Sequence, residues 1–207
     1  MKHPRTDDQG RTVTLAKPSH SSIMAAWSDP SAVACVIPDG PMPAEINGME
    51  VAHWSEAPES GAEWEALAAI CPIEEPEFVV PVGYHQAAGV VIREPDGRVW
   101  LVAPSNAFGG YEATFPKGTL EGKSAQATAF AEAFEESGLR VRLIKHLADI
   151  ERSQSYTRYY LAERVGGNPA DMTWETQAVM LVPMSQLGSL LNNAFDKPLL
   201  KQLLSIW

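Results

Sequence analysis

Three glutamates, Glu132, Glu135 and Glu136, crowd into one short stretch of the segment FPKGTLEGKSAQATAFAEAFEESGL, which runs from Phe115 to Leu139. At about 100° per residue they share one arc of a helix whose other positions, Ala125, Thr128 and Ala129, are small, while Ala127, Phe130, Ala131 and Phe134 form the opposite, apolar face. One reading is a solvated acidic face, which is what most charge clusters are. Two penalties count against it. Glu132 and Glu136 are a like-charged i,i+4 pair, and Glu135 and Glu136 sit in the last turn, where the macrodipole disfavours anions; each effect costs roughly 0.3–1 kcal/mol. The segment's helix carries no Lys or Arg to offset them. An external cation would, and three carboxylate donors suit a hard ion such as Mg²⁺ or Mn²⁺ rather than a thiolate-loving metal.

The elements around the cluster are legible from local signals. Gly118 and Gly122 bracket a turn, Ser124 is placed to cap a helix over Ala125–Ser137, and Gly138 stands where a left-handed residue ends one. Upstream, QAAGVVI, the corner EPDG and RVWLVAP predict a β-hairpin, from which the loop SNAFGGYEAT leads to the PKG turn. Downstream, RVRLIKHLADI, TRYYLAERV and QAVMLVP read as strands. Helices are expected over Leu187–Asn192 and Pro198–Ile206, the latter with Asp196 as N-cap and Leu199, Leu200, Leu203 and Leu204 as its buried stripe. Strands interleaved with helices imply an α/β domain with helix layers on both faces of a sheet.

PKG, a six-residue loop and a helix bearing E-x-x-E-E-x-G-L together resemble the Nudix box of the Nudix hydrolases, G-x5-E-x7-R-E-U-x-E-E-x-G-U with U aliphatic. With Gly138 on the second glycine of that pattern, Glu132 falls on the glutamate after the arginine, and Glu135 and Glu136 on the E-E pair. The loop is one residue short; the family's loop glutamate falls at Lys123 or Ser124, and its arginine at Ala131. The resemblance covers roughly Val82 to Trp207 and implies a Nudix fold, an α/β/α sandwich with a mixed β-sheet.

It also implies roles. Members cleave a phosphoanhydride in a nucleoside diphosphate linked to another moiety, with divalent ions bridging the phosphates and a carboxylate activating water. Glu135 and Glu136 would be metal ligands together with the backbone carbonyl of Gly118, and Glu132 a third ligand or the base. Glu175, in TWETQ, occupies the region from which a further carboxylate often comes; Glu151 is a weaker rival, and either could be a plain surface glutamate. Lys117 and then Arg158 are the candidates for phosphate contact, and Tyr160 and Tyr111 for flanking a base or sugar, although each type is also common in purely structural roles. His20, His53, His85 and His146 have no nucleophile at motif spacing, so a hydrolase triad has no support. The PKG spelling is similar to that of the branch acting on dinucleoside polyphosphates.

The rest of the chain sets bounds. A length of 207 residues accommodates one such domain, here residues 82–207, and a smaller appendage. Residues 1–20 are expected as a flexible tail. Residues 21–81, irregular and Pro-rich, are expected as an accessory N-terminal segment too short to fold independently, with strands in Ser31–Pro38 and Ile46–Trp54, a helix over Gly61–Ile70, and Trp27, Trp54 and Trp64 as packing anchors. A net charge of −10 argues against duplex nucleic acid, anionic membrane and inositol polyphosphates, leaving small phosphorylated, nucleotide-derived substrates. Cys35 and Cys71 lack zinc or disulfide spacing and are expected as buried free thiols. The polar N-terminus and the lack of a spanning stretch fit a cytoplasmic protein. A homodimer is compatible with all of this. Two functions follow: a metal-dependent pyrophosphohydrolase, for which the intact E-x-x-E-E speaks, and a Nudix-fold nucleotide-binding or interaction module without turnover, for which the replaced loop glutamate and helix arginine speak.

Overall fold

The structure is a computed structural model and describes residues 1–18, 20–110 and 112–206. Its first element corrects the expectation of a tail. Strands β1 (Lys2–Thr6) and β2 (Thr12–Thr14) pair antiparallel around a turn at Asp7–Gly10. Val13 and Leu15 are buried, and this burial, absent from any local sequence signal, is what orders the hairpin.

The accessory segment follows as α1 (Ala25–Ser28), β3 (Ala34–Val36), a two-residue hairpin of β4 (Glu45–Ile46) and β5 (Met49–Glu50) around Asn47–Gly48, and α2 (Gly61–Ile70). The strands are shorter than the apolar runs suggested. Helix α2 starts where expected, on a reciprocal capping box between Ser60 and Glu63.

The main domain comprises β6 (His85–Arg93), β7 (Val99–Pro104), β8 (Lys117–Thr119), α3 (Ala125–Ser137), β9 (Leu139–Glu151), β10 (Ser155–Gly167), β11 (Thr176–Val182), α4 (Leu187–Leu190) and α5 (Lys197–Ile206). The sheet order is β3-β11-β7-β6-β10-β9, with β6 and β10 parallel and the other neighbours antiparallel. The expected β6–β7 hairpin pairs only beside its turn, at Arg93–Val99; the strands then diverge, and the chain from Thr114 to Thr119 fills the gap, bridging Val102 and pairing with Ala87–Gly89. This split in the sheet is what delivers Gly118 to the face of α3.

One apolar cluster fills each face of the sheet. Val90, Ile92, Tyr160 and Ala162 pack under α3 and α2; Val91, Leu101, Tyr159 and Leu161 pack under α4 and α5 through Leu187, Leu199 and Leu203. The α/β/α sandwich is therefore present. Of the stripe expected on α5, Leu199 and Leu203 are buried and Leu204 is exposed. Asp196 does not cap that helix: its carboxylate is fully buried against Arg152 at 2.7 Å.

Three buried arginines of the main domain bind the accessory segment to it. Each pairs with a carboxylate and donates to backbone carbonyls of residues 26–77. Arg98 pairs with Asp96 and reaches Ala26 O and Trp27 O; Arg164 pairs with Glu94 and reaches Ile46 O and Glu50 O; Arg158 pairs with Asp149 and reaches Pro76 O and Glu77 O. The tryptophans act as packing anchors, Trp27 against Trp100 and Trp54 with Trp64 around Phe134 of α3. The segment thus shares its core with the main domain. Cys35 is buried, its thiol pushed up to about 12 by desolvation, whereas Cys71 is exposed; both are free. Among the described residues no helix is long and apolar enough to cross a membrane.

Candidate active site

Helix α3 is fixed at both ends by the residues expected to do so. Ser124 Oγ accepts the N–H of Ala127 at 3.2 Å, and Gly138, at φ 66°, donates its N–H to Phe134 O at 2.7 Å. A partner from outside strengthens the N-terminus: Glu65 of α2 accepts both the N–H and, at 2.9 Å, the hydroxyl of Ser124. The position the Nudix pattern gives to arginine is filled by buried Ala131, on a helix packed directly against α2. Glu65 of the neighbouring helix thus holds the junction of loop and helix at Ser124.

From this helix, two carboxylates reach the PKG turn. Glu136 Oε2 accepts the N–H of Lys117 at 2.9 Å, and the Glu132 carboxylate lies so close to Gly118 that a Cβ there would be 2.0 Å from Oε1. Both side chains are more than nine-tenths buried. Glu135, one residue along, is exposed, and so is Glu175 on the loop before β11. One backbone hydrogen bond holds that loop beside the helix, Thr173 N to Glu135 O at 2.9 Å, and another ties it to the end of β7, Ser105 N to Glu175 O at 2.7 Å. Among the described residues no three His, Cys, Asp or Glu side chains stand close enough together to enclose an ion.

The electrostatics show how strained this acid cluster is. Burial pushes the Glu132 carboxyl far above the usual carboxylate range, and Glu136, Glu135 and Glu175 push it further. Burial also raises Glu136, against the pull of the Lys117 charge. Partial desolvation raises Glu135 and Glu175 as well; Lys123 opposes the shift of Glu135, and Glu121 and Asp8 add to both. The Lys117 ammonium is held below its ordinary range mainly by burial, amid the charges of Glu136, Arg152, Asp196 and Glu132. Lys123 leans on Gly61 and is 4.0 Å from Glu121, not among the buried glutamates.

Other expected site residues fall elsewhere. Arg158 is 1% exposed and its guanidinium is committed to Asp149 and the carbonyls of Pro76 and Glu77, so it is a structural clamp and does not reach a ligand. Tyr160 is buried and donates to Glu75 at 2.5 Å. Glu151 accepts from Tyr84. Tyr111 lies outside the described residues. His53 pairs with Asp171 and His146 with Asp149, consistent with structural histidines. Two carboxylates were not singled out from sequence: Glu121, in the PKG loop, and Asp8, at the tip of the N-terminal hairpin. The place of Glu121 in the short loop between Gly118 and the helix is a signal for the first. Nothing local marks the second.

Comparison with known proteins matches this architecture. The NUDIX domain family model matches residues 83–203, and the chain belongs to that family. RNA pyrophosphohydrolases from Pectobacterium carotovorum subsp. carotovorum and from Escherichia coli O139:H28 are each 31% identical over 100 residues, 48% of this chain and 50% of the relative. The chain therefore spans about half the length of these relatives. Among solved structures, a UDP-X diphosphatase is 17% identical, covering 70% of this chain and 69% of that one with a TM-score of 0.48. An Ap4A hydrolase from C. elegans is 19% identical, covering 58% and 96%, also at 0.48.

Proposed function

We propose that this chain is a Nudix pyrophosphohydrolase that cleaves a phosphoanhydride bond in a nucleoside diphosphate derivative or dinucleoside polyphosphate. The observation that carries the proposal is the meeting of Glu132 and Glu136, both buried, with the backbone of Lys117 and Gly118. Two buried carboxylates that repel each other, opened to the loop only because residue 118 has no side chain, make an all-oxygen donor set of the hardness Mg²⁺ or Mn²⁺ prefers. Glu132, Glu135 and Glu136 with the Gly118 carbonyl would hold such an ion, and Glu175 would serve as a further ligand or base. When bound, the ion supplies charge neutralisation on the phosphates and a lowered pKa for its water. The chain's own contribution is to hold the carboxylates rigidly on a doubly capped helix and to keep a cation, Lys117, next to them for a phosphate oxygen.

The second reading, a nucleotide-binding module without turnover, draws on the replaced loop glutamate and helix arginine and on the lack of a closed three-carboxylate group among the described residues. A substrate panel decides between the two. It should contain nucleoside diphosphate sugars, dinucleoside polyphosphates and, because the sequence relatives are RNA pyrophosphohydrolases, an RNA with a 5′ pyrophosphate group. Phosphate or nucleotide release with Mg²⁺ or Mn²⁺ that is lost in Glu136→Gln supports the enzyme. Saturable binding of a panel member without release by the parent protein supports the module.

A further inference from the structure

The N-terminal hairpin lies outside the residues matched by the family model, yet it grips the loop that carries Glu175. Three contacts do this. Trp174 Nε1–H donates to Asp8 Oδ1 at 3.0 Å. His3 Nε2 meets Thr176 O at 3.1 Å, and because His3 Nδ1 accepts the N–H of Arg5 at 2.9 Å, Nε2 carries the proton and is the donor. Gln177 Oε1 accepts the N–H groups of Ala16 and Lys17 at 2.7 and 3.1 Å, while its Nε2 donates to Pro104 O at 2.9 Å. Residues 174, 176 and 177 are thus tied to the hairpin and its exit, and residue 175 lies between them.

The ties of His3 and Gln177 are sheltered from water, whereas the Asp8–Trp174 bond lies at the exposed tip of the hairpin. His3 and Gln177 are 5% and 4% exposed, and Val13 and Leu15 of the same N-terminal segment are buried. On its other side the loop is held by Ser105, whose N–H and hydroxyl bind Glu175 O and Trp174 O, and by Thr173 N on Glu135 O. The loop backbone is therefore fixed between hairpin and helix.

We infer that the N-terminal hairpin is a working part of the candidate active site, with Asp8, Trp174 and His3 as positioning residues that set the Glu175 carboxylate against Glu132, Glu135 and Glu136. Trp174, which Asp8 holds, directly precedes Glu175, and Thr173 N bonds Glu135 O at 2.9 Å, so the hairpin tip sits on the segment that joins Glu175 to the glutamate helix. The inference rests on the assignment of Glu175 to the site, and its physical basis is that catalytic groups lose effectiveness steeply with small misplacements.

The test uses the full chain with Asp8→Ala, Trp174→Phe, Asp8→Asn and, as reference, Glu175→Gln. Two readouts are taken: hydrogen–deuterium exchange of residues 173–177, and kcat and KM on the panel substrate the parent turns over fastest. Asp8→Ala and Trp174→Phe should each speed exchange across 173–177 several-fold and lower kcat about tenfold with KM held within about twofold. Asp8→Asn, whose amide oxygen still accepts the indole N–H, should return exchange to the parental rate. Unchanged exchange in Asp8→Ala and Trp174→Phe overturns the inference. So does unchanged kcat in those variants when Glu175→Gln is impaired, or unimpaired turnover in Glu175→Gln itself. A parent that turns over no panel member overturns the proposed function instead, and the exchange comparison still decides whether the hairpin orders the loop.

Discussion

The carboxylate of Glu132 occupies the space that a side chain at residue 118 would take, with Oε1 2.0 Å from where a Cβ would stand. Real atoms do not approach so closely, so a substitution there must move either the turn or the glutamate. Gly118→Ala should therefore displace Glu132 from the PKG backbone while leaving the sheet intact. The expected result is a turnover loss of about a hundredfold, with Mn²⁺ affinity falling alongside, measured by steady-state kinetics and metal titration. Parental turnover in this variant would mean that the contact between turn and glutamate is incidental.

Arg158 makes a contrasting case. A phosphate-binding arginine, when removed, raises KM and leaves stability alone. A buried clamp does the reverse. Truncation to Ala leaves the half-buried Asp149 with His146 alone and the carbonyls of Pro76 and Glu77 without their donor, a class of change that costs about 1–3 kcal/mol. Arg158→Ala should lower the denaturant midpoint accordingly, with KM for the panel substrate unchanged at temperatures where the variant is folded. Urea unfolding and kinetics on the same preparation check it.

How much of this was legible in the sequence depended on distance along the chain. Ser124, Gly138 and the Ser60–Glu63 box act within one helical turn, and all were readable from spacing or lie where a helix start was expected. The Nudix box placed Glu132 and Glu136 at the turn because loop and helix are adjacent. By contrast, the Asp8–Trp174 contact joins residues 166 apart, and Arg164 reaches Ile46 across 118. Arg158 reads identically in sequence whether it faces a phosphate or Asp149, and Asp196, one residue before a helix, has the look of a cap although Arg152 claims it. Burial decides such cases, and burial is set by the sheet order, which no local pattern encodes.

The final prediction concerns pH and metal. Burial above all, and the charge of Glu136 next, raises the Glu132 carboxyl from 4.5 to about 9, and burial raises that of Glu136 to about 7 against the pull of Lys117. A raised folded-state pKa means the folded protein binds protons more tightly than the unfolded chain. The stabilising contribution is complete below the unfolded value of 4.5, declines as pH rises through the folded values, and is gone above them. In metal-free buffer the melting temperature should therefore fall between pH 5 and 9, once the titration of the remaining groups is matched in a Glu132→Gln, Glu136→Gln double variant that lacks this decline. Saturating Mg²⁺ or Mn²⁺ replaces the missing protons and should flatten the decline in the parent but not stabilise the double variant. Glu136→Gln alone should raise the metal-free melting temperature at pH 8 while lowering turnover about a hundredfold, roughly 3 kcal/mol of barrier. Calorimetry with and without metal, alongside the kinetic assay, reads both. A variant that is destabilised at pH 8 without metal, or one that keeps full turnover, would show that the two carboxylates are held apart from any cation and serve the fold alone.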